Sequence, residues 1–255
     1  MTGHVTQPSA DLLERLPAWV THVLAPNPGP MTLEGTNTWV LRSPGGDAIV
    51  VDPGPLDEGH LAAVAAAASV RMVVTTHHHV DHTEGVDRLL ELCPGARLWQ
   101  PSTQDGSVSV DGLELRCIAT PGHTADSVTL VGGVGDDRAV LTGDTILGRG
   151  TTVVAYPDGH LGQYLESLRS LELLGPVPVL PGHGPALTDC AAAAAFYLRH
   201  RLARLEQVSA AQSAGATTPA EVVAIVYADV DPVLWPAAEL SVRAQLAYLA
   251  ERPLT

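Results

Sequence analysis

Apolar positions divide the chain into two unequal stretches. In the first, short runs of β-branched and aliphatic residues recur between proline- and glycine-rich breaks. Trp19 to Leu24 reads as a strand that the loop Ala25-Pro26-Asn27-Pro28-Gly29-Pro30 cannot continue, because proline removes a ladder donor and fixes φ. Thr36 to Arg42 and Asp47 to Val51 read as a hairpin about Pro44-Gly45-Gly46, closed by Asp52-Pro53-Gly54. Leu61 to Ala68 is an alanine-rich helix and Val70 to Thr75 a buried strand. Residues 84–92 form a helix that Cys93-Pro94-Gly95 stops. Val108-Ser109-Val110 and Leu113-Glu114-Leu115 flank Asp111-Gly112, a strong hairpin signal. Val128 to Val131 pairs with Ala139 to Leu141, and Val177 to Leu180 is a late strand. Leu161, Tyr164, Leu165, Leu168, Leu171 and Leu174 recur at helical spacing and predict one buried stripe. Strands alternating with helices favour a mixed α/β sandwich over an all-β fold.

Beyond residue 190 the strand signals stop. Ala191 to Gln212 is a long helical run with an apolar stripe at Leu198, Leu202, Leu205 and Val208, ended by Gly215 to Thr217. Thr218-Pro219-Ala220-Glu221 has capping-box spacing with proline at the first helical position. A further helix spans Leu234 to Glu251. The division predicted is a catalytic domain over 1–190 and a small helical, winged-helix-like cap over 191–255.

Composition narrows the partners. The 255 residues carry a formal charge of −14, and every fixed side-chain cation is an arginine, since there is no lysine. From Phe196 onward five arginines face six acidic residues, which is not the basic stripe of a duplex-DNA reader. The three cysteines lie outside every motif and fit a reduced compartment better than a disulfide framework. Met1-Thr2-Gly3-His4-Val5 has neither a basic nor an apolar leader region, and no run suits a bilayer span. A cytoplasmic protein with no membrane partner is the expectation.

The chemistry concentrates at His77-His78-His79-Val80-Asp81-His82, a turn between a buried strand and a helix. Side chains alternate along an extended segment, so His77 and His79 share a side, and His78 points away to be packed or solvated. The spacing suits two neighbouring metal ions, one taking His77 and His79, the other Asp81 and His82. Three later strands each end in a glycine-bearing turn with one metal-competent side chain. These are Pro121-Gly122-His123-Thr124, Thr142-Gly143-Asp144-Thr145 and Pro181-Gly182-His183-Gly184. Seven nitrogen and oxygen donors without cysteine describe an open, catalytic site rather than a closed structural one.

This set, in this order from about Trp19 to His183, resembles the metallo-β-lactamase superfamily of di-metal hydrolases. The resemblance implies a four-layer αββα sandwich. It also implies one metal on His77, His79 and His123, and a second on Asp81, His82 and His183, with Asp144 bridging. Asp81 and Asp144 then count as catalytic as well as ligating. Asp52 falls behind the site as an orienter, against the plain alternative of a turn aspartate. Zinc is the first expectation for the two divalent ions, with iron and manganese left open.

Within the superfamily, the stretch Thr142 to Val153, Tyr164-Leu165-Glu166-Ser167-Leu168, Pro181 to Pro185 and His200-Arg201 resemble the beta-lactamase-like protein 2 type. Exported β-lactamases, nucleases with a large insertion and glyoxalase II fit less well. The resemblance implies an endoribonuclease cleaving phosphodiesters in single-stranded RNA, with acyl-thioester hydrolysis as the alternative. A β-lactamase-like hydrolase of another small substrate is a third reading. Asn37, Thr151, Thr152, Tyr164, His200 and Arg201 are the expected substrate contacts. His4, His22, His60 and His160 have no evident partners and read as surface residues.

Overall fold

The computed structural model describes residues 16–101 and 106–251; His4 and the leader region lie outside them. Two five-stranded sheets face each other. The first, in spatial order, contains β1 (Val20–Leu24), β2 (Asn37–Arg42), β3 (Asp47–Val51), β4 (Ser69–Val74) and β5 (Arg97–Trp99). The second runs β10 (Val179–Pro181), β9 (Asp137–Gly143), β8 (Val128–Val134), β7 (Leu113–Ala119) and β6 (Ser107–Val110). Period-two alternation explains why both faces are apolar. Trp39, Leu41, Ile49 and Val51 point into the space between the sheets and meet Leu115, Leu130 and Leu141. Their neighbours Val40, Ala48 and Val50 point outward, under α1 (Glu58–Ala67) and α3 (Val86–Leu92). The outer face of the second sheet packs beneath α4 (Leu161–Glu172) and the first half of α5 (Cys190–Ser213). The layers are therefore α, β, β and α.

Strand direction matters more than strand number. β3 and β4 are parallel, and β7, β9 and β10 all run one way. Their C-terminal ends lie along one rim, and the turns after them are the turns that carry Asp52, His77, His123, Asp144 and His183. The two sheets are stitched there. Val128 N donates to Thr76 O (2.9 Å), and Asn37 N donates to Gly182 O (2.8 Å).

The second half of α5 joins α6 (Pro219–Val226) and α7 (Trp235–Glu251) around Val208, Val222, Val223 and Val242. Thr218 and Glu221 form the reciprocal capping box that the sequence spelled. Among the described residues no helix is long and apolar enough to cross a membrane.

Three expectations change. The helix expected over 84–92 begins only at Val86, as α3, and a separate short helix, α2 (Val80–Thr83), precedes it across Glu84 and Gly85. Gly85 N donates to Gly54 O (2.9 Å), and a Cβ there would stand 2.7 Å from Leu61 Cδ2 and about 3 Å from two carbonyl oxygens. The backbone approach to the Gly54 turn interrupts the helix. On α5 the buried positions include Ala193, Ala194, Tyr197, Arg201 and Val208, whereas Leu202 is 39% exposed. A small-residue face lets α5 lie close to α4, which leaves Leu202 outside while Leu198, Leu205 and Val208 stay packed as expected. His60 is buried, with Nε2 2.9 Å from Thr38 Oγ1 and 3.1 Å from Pro53 O. Asp57 caps α1 earlier than expected, which turns His60 inward. His22 is half-buried against Asn37 and Trp39, and His160 caps α4.

Replacing Gly85 by alanine should lower stability by about 1–3 kcal/mol, the usual cost of overpacking. An unchanged urea midpoint would show that the turn has room to spare.

Candidate metal centre

The bend after β4 places His77 and His79 side by side, and the tight α2 turn brings Asp81 and His82 back toward them. The later turns complete the ring, and all seven donors converge. His77 Nε2 lies 3.0 Å from His79 Nδ1, which lies 3.1 Å from His123 Nε2. His82 Nε2 lies 3.3 Å from His183 Nε2, and each is within 3.3 Å of Asp81 Oδ2. Asp144 stands between the two groups. Its Oδ2 is 3.3 Å from His183 and 3.7 Å from His123, and its Oδ1 is 3.5 Å from His82.

Outward-facing nitrogens are tied down, which fixes the tautomers. His82 Nδ1 donates to Asp52 Oδ2 (2.8 Å), His123 Nδ1 to Val153 O (2.7 Å) and His183 Nδ1 to Gly35 O (3.1 Å). His77 Nδ1 lies 3.0 Å from Thr76 Oγ1, whose own proton goes to Asp52 Oδ2 (2.8 Å). Each Nε2 is thereby left with its lone pair toward the centre. Asp52, at φ 52°, is buried and serves as the orienter; Thr36 Oγ1 does the same for Asp81 (3.2 Å).

Lone pairs packed this closely require a positive charge among them. Burial opposes charging His183, but Asp144 and Asp81 outweigh it and push the imidazole up to about 11. His82 is likewise raised against its burial by Asp144 and Asp52. Burial, then the charge of His82, holds His77 well below its ordinary value. Asp144 stays ionised in spite of burial because His183 and His82 flank it. A divalent cation satisfies the same field. Tetrahedral zinc with nitrogen ligands sets donors about 3.3 Å apart, close to the spacings above. Asp144 Oδ1 is buried and lacks a hydrogen-bond partner among the described residues. Gly182 passes so near Asp144 and His82 that any side chain would collide with them. The donor set fits divalent metal.

A cavity of about 570 Å³ opens from His123 and Asp144. Met31 and Leu33 form one wall and the loop 149–153 another. Phe196, His200, Arg201 and Arg204 of α5 form a third, and residues from Tyr227 to Ser241 roof it. Of the expected substrate contacts, Thr151, Thr152, His200 and Arg201 line this space. The structure gives Asn37 and Tyr164 other work. The Asn37 amide donates to Pro181 O and Gly184 O, clamping the His183 turn. Tyr164 donates to Thr145 O (2.6 Å) beneath Arg201. Their polar atoms are spent on backbone carbonyls. Thr152 Oγ1 also donates to the backbone carbonyl of Asp144, and Arg201 Nη2 to Thr152 O, so α5 is tied to the turn that carries Asp144. His78 is exposed beside Asp126 (2.9 Å). Arg204 was missed, although it lies one helical turn from His200 and Arg201 on the same face.

A metal-competent ring on the rim of an αββα sandwich defines a class of hydrolases, and the chain belongs to it: residues 31–104 and 91–183 match the Metallo-beta-lactamase superfamily. Residues 218–254 match the Beta-lactamase associated winged helix domain. Among similar proteins is the Beta-lactamase-like protein 2 homolog of Caenorhabditis elegans, 34% identical over 77% of this chain and 72% of that protein. The Atrochrysone carboxyl ACP thioesterase of Aspergillus fumigatus is 37% identical over 67% of this chain and 57% of its own length. A Beta-lactamase domain protein from Burkholderia ambifaria shares the fold at TM-score 0.79 and 22% identity, covering 92% of this chain and 87% of that one.

Asp52→Asn keeps a residue that tolerates positive φ but weakens the hold on His82. Metal affinity, read by chelator competition, should fall about 10–100-fold with the circular dichroism unchanged. Undiminished affinity would remove Asp52 from the supporting network. His200 supplies a pH test. Burial, then Arg201 and Arg204, lowers it to about 4. Its folded pKa lies below the unfolded value near 6.5, so its contribution to stability is complete above that value. It is lost as pH falls toward 4. With chelator present, His200→Gln should therefore show a smaller drop in Tm between neutral and acid pH than the parent protein. Equal drops would mean that the ring charges freely.

Proposed function

We propose that the protein hydrolyses a small acyl thioester, or a related ester, with two divalent metal ions, zinc foremost. His77, His79 and His123 would hold one ion and Asp81, His82 and His183 the other, with Asp144 reaching both. When bound, such a pair supplies an acidified water and polarises the scissile carbonyl. The chain's own part is orientation. Asp52, Thr76, Gly35 and Val153 hold the outer nitrogens of His82, His77, His183 and His123 so that each Nε2 faces the centre, and Thr36 aims Asp81. In the reaction the C–S bond breaks, the hydroxyl of water goes to the acyl carbon, and its proton goes to the thiol.

The cavity carries this reading. At about 570 Å³ it falls in the roughly 300–1,000 Å³ range of small-molecule sites. Met31, Leu33, Leu147 and Phe196 give it walls suited to an acyl chain, and the C-terminal helices cover it. The thioesterase name of the Aspergillus relative agrees with it. Single-stranded RNA is the second reading, favoured by the arginines on the same wall. A net charge of −14 and 4% aromatic content tell against a stacking groove.

Protein purified without chelator should contain about two metals per chain, as a binuclear site requires; less than one would sink the binuclear assignment. At matched loading, an acyl thioester should be turned over and an unstructured RNA oligomer left intact, with the turnover lost in His79→Ala. Metal-dependent internal cuts in the RNA, with the thioester untouched, would put the nuclease in its place.

A further inference from the structure

We propose that the acyl group carries a carboxylate of its own and that Arg201 receives it. This inference rests on the thioester reading of the same site. Arg201 is 3% exposed and makes no ion pair among the described residues: one nitrogen donates to the Thr152 carbonyl, and the guanidinium lies 5.3 Å over the Tyr164 ring. Its Nε finds no hydrogen-bond partner among the described residues. A buried cation is costly unless it is paired and fully hydrogen-bonded. Arg201 lines the cavity, so an anion lying there would supply the counter-charge that the guanidinium lacks among the described residues.

The other cations on the wall are engaged. Arg149 is paired with Glu34. Arg204 bonds the Val226 carbonyl and Gln207 and stands 3.9 Å from Asp229. Asp144, joined to Arg201 only through Thr152, turns its carboxylate to the histidine ring. One unpaired guanidinium therefore remains for one negative charge, and its planar fork matches a planar carboxylate. The apolar lining residues Leu33, Leu147 and Phe196 would hold the methylenes of the acyl chain. The substrate class is the monothioester of a dicarboxylic acid.

Glutaryl and pentanoyl thioesters of N-acetylcysteamine differ mainly in that terminal carboxylate, so they test the subsite. With metal-loaded protein, the glutaryl compound should have the higher kcat/KM by about tenfold, expressed in KM, as one charge-assisted hydrogen bond implies. In Arg201→Gln the ratio of the two should fall to near one, and Arg201→Lys should restore part of it. No preference in the parent protein would overturn the proposal, as would equal losses for both thioesters in Arg201→Gln, which would make Arg201 purely a support for Thr152. If neither thioester reacts, the thioester reading fails separately and the subsite is judged by binding. Glutarate should then raise the Tm of the metal-loaded protein more than pentanoate does, and not in Arg201→Gln. A rise with dimethyl phosphate that exceeds the rise with glutarate would overturn the carboxylate in favour of a phosphodiester.

Discussion

Asp144 is an ionised carboxylate with a side chain only 11% exposed, and much of the molecule is arranged to make that tolerable. Water cannot stabilise it, so positive charge must surround it. The histidines that do so come from chain segments a hundred residues apart. They can meet only if the strands before them end on one rim, and this is what the parallel pairs β3–β4 and β9–β10 secure. The side chains must also stay in place while their lone pairs repel one another. Asp52, Gly35 and Val153 grip the far edges of the rings, and Asn37 clamps the turn that carries His183.

The ring was legible in the sequence because its logic is local. Alternation assigns His77 and His79 to one side, and each remaining ligand follows a strand and a glycine turn. The four layers followed from the family resemblance; β7 alternates along most of its length, whereas β2 and β3 are buried on both faces and so show no alternation. What escaped depends on contacts between distant segments. Nothing near Gly85 announces that the Gly54 turn will press against it. His60 looked like a surface residue until Asp57 moved the start of its helix. Asn37 and Tyr164 carry groups suited to a substrate, and only the fold reveals that carbonyls at residues 145, 181 and 184 consume them. Leu202 on α5 was misjudged for a related reason, since alanines that contribute little hydrophobic signal decide which side approaches α4.

Helix α5 belongs to two cores at once. Its first half completes the outer layer over the second sheet, and its second half anchors α6 and α7. Arg201 lies near the middle, touching the loop that ends at Thr152, while Arg204 reaches the carbonyl at the end of α6. The boundary expected near residue 190 thus falls at the start of a shared strut. The family match for the winged-helix segment begins only after that strut, at residue 218.

The roof over the cavity consequently comes from chain that contributes no ligand to the ring. A substitution at Tyr227, Val230, Leu234 or Ala238 reshapes the chamber without disturbing the donors on the opposite rim. Heritable variation can therefore act on selectivity while the reaction centre is left alone. Lineages sharing one catalytic ring can diverge in diet through some forty residues at the end of the chain.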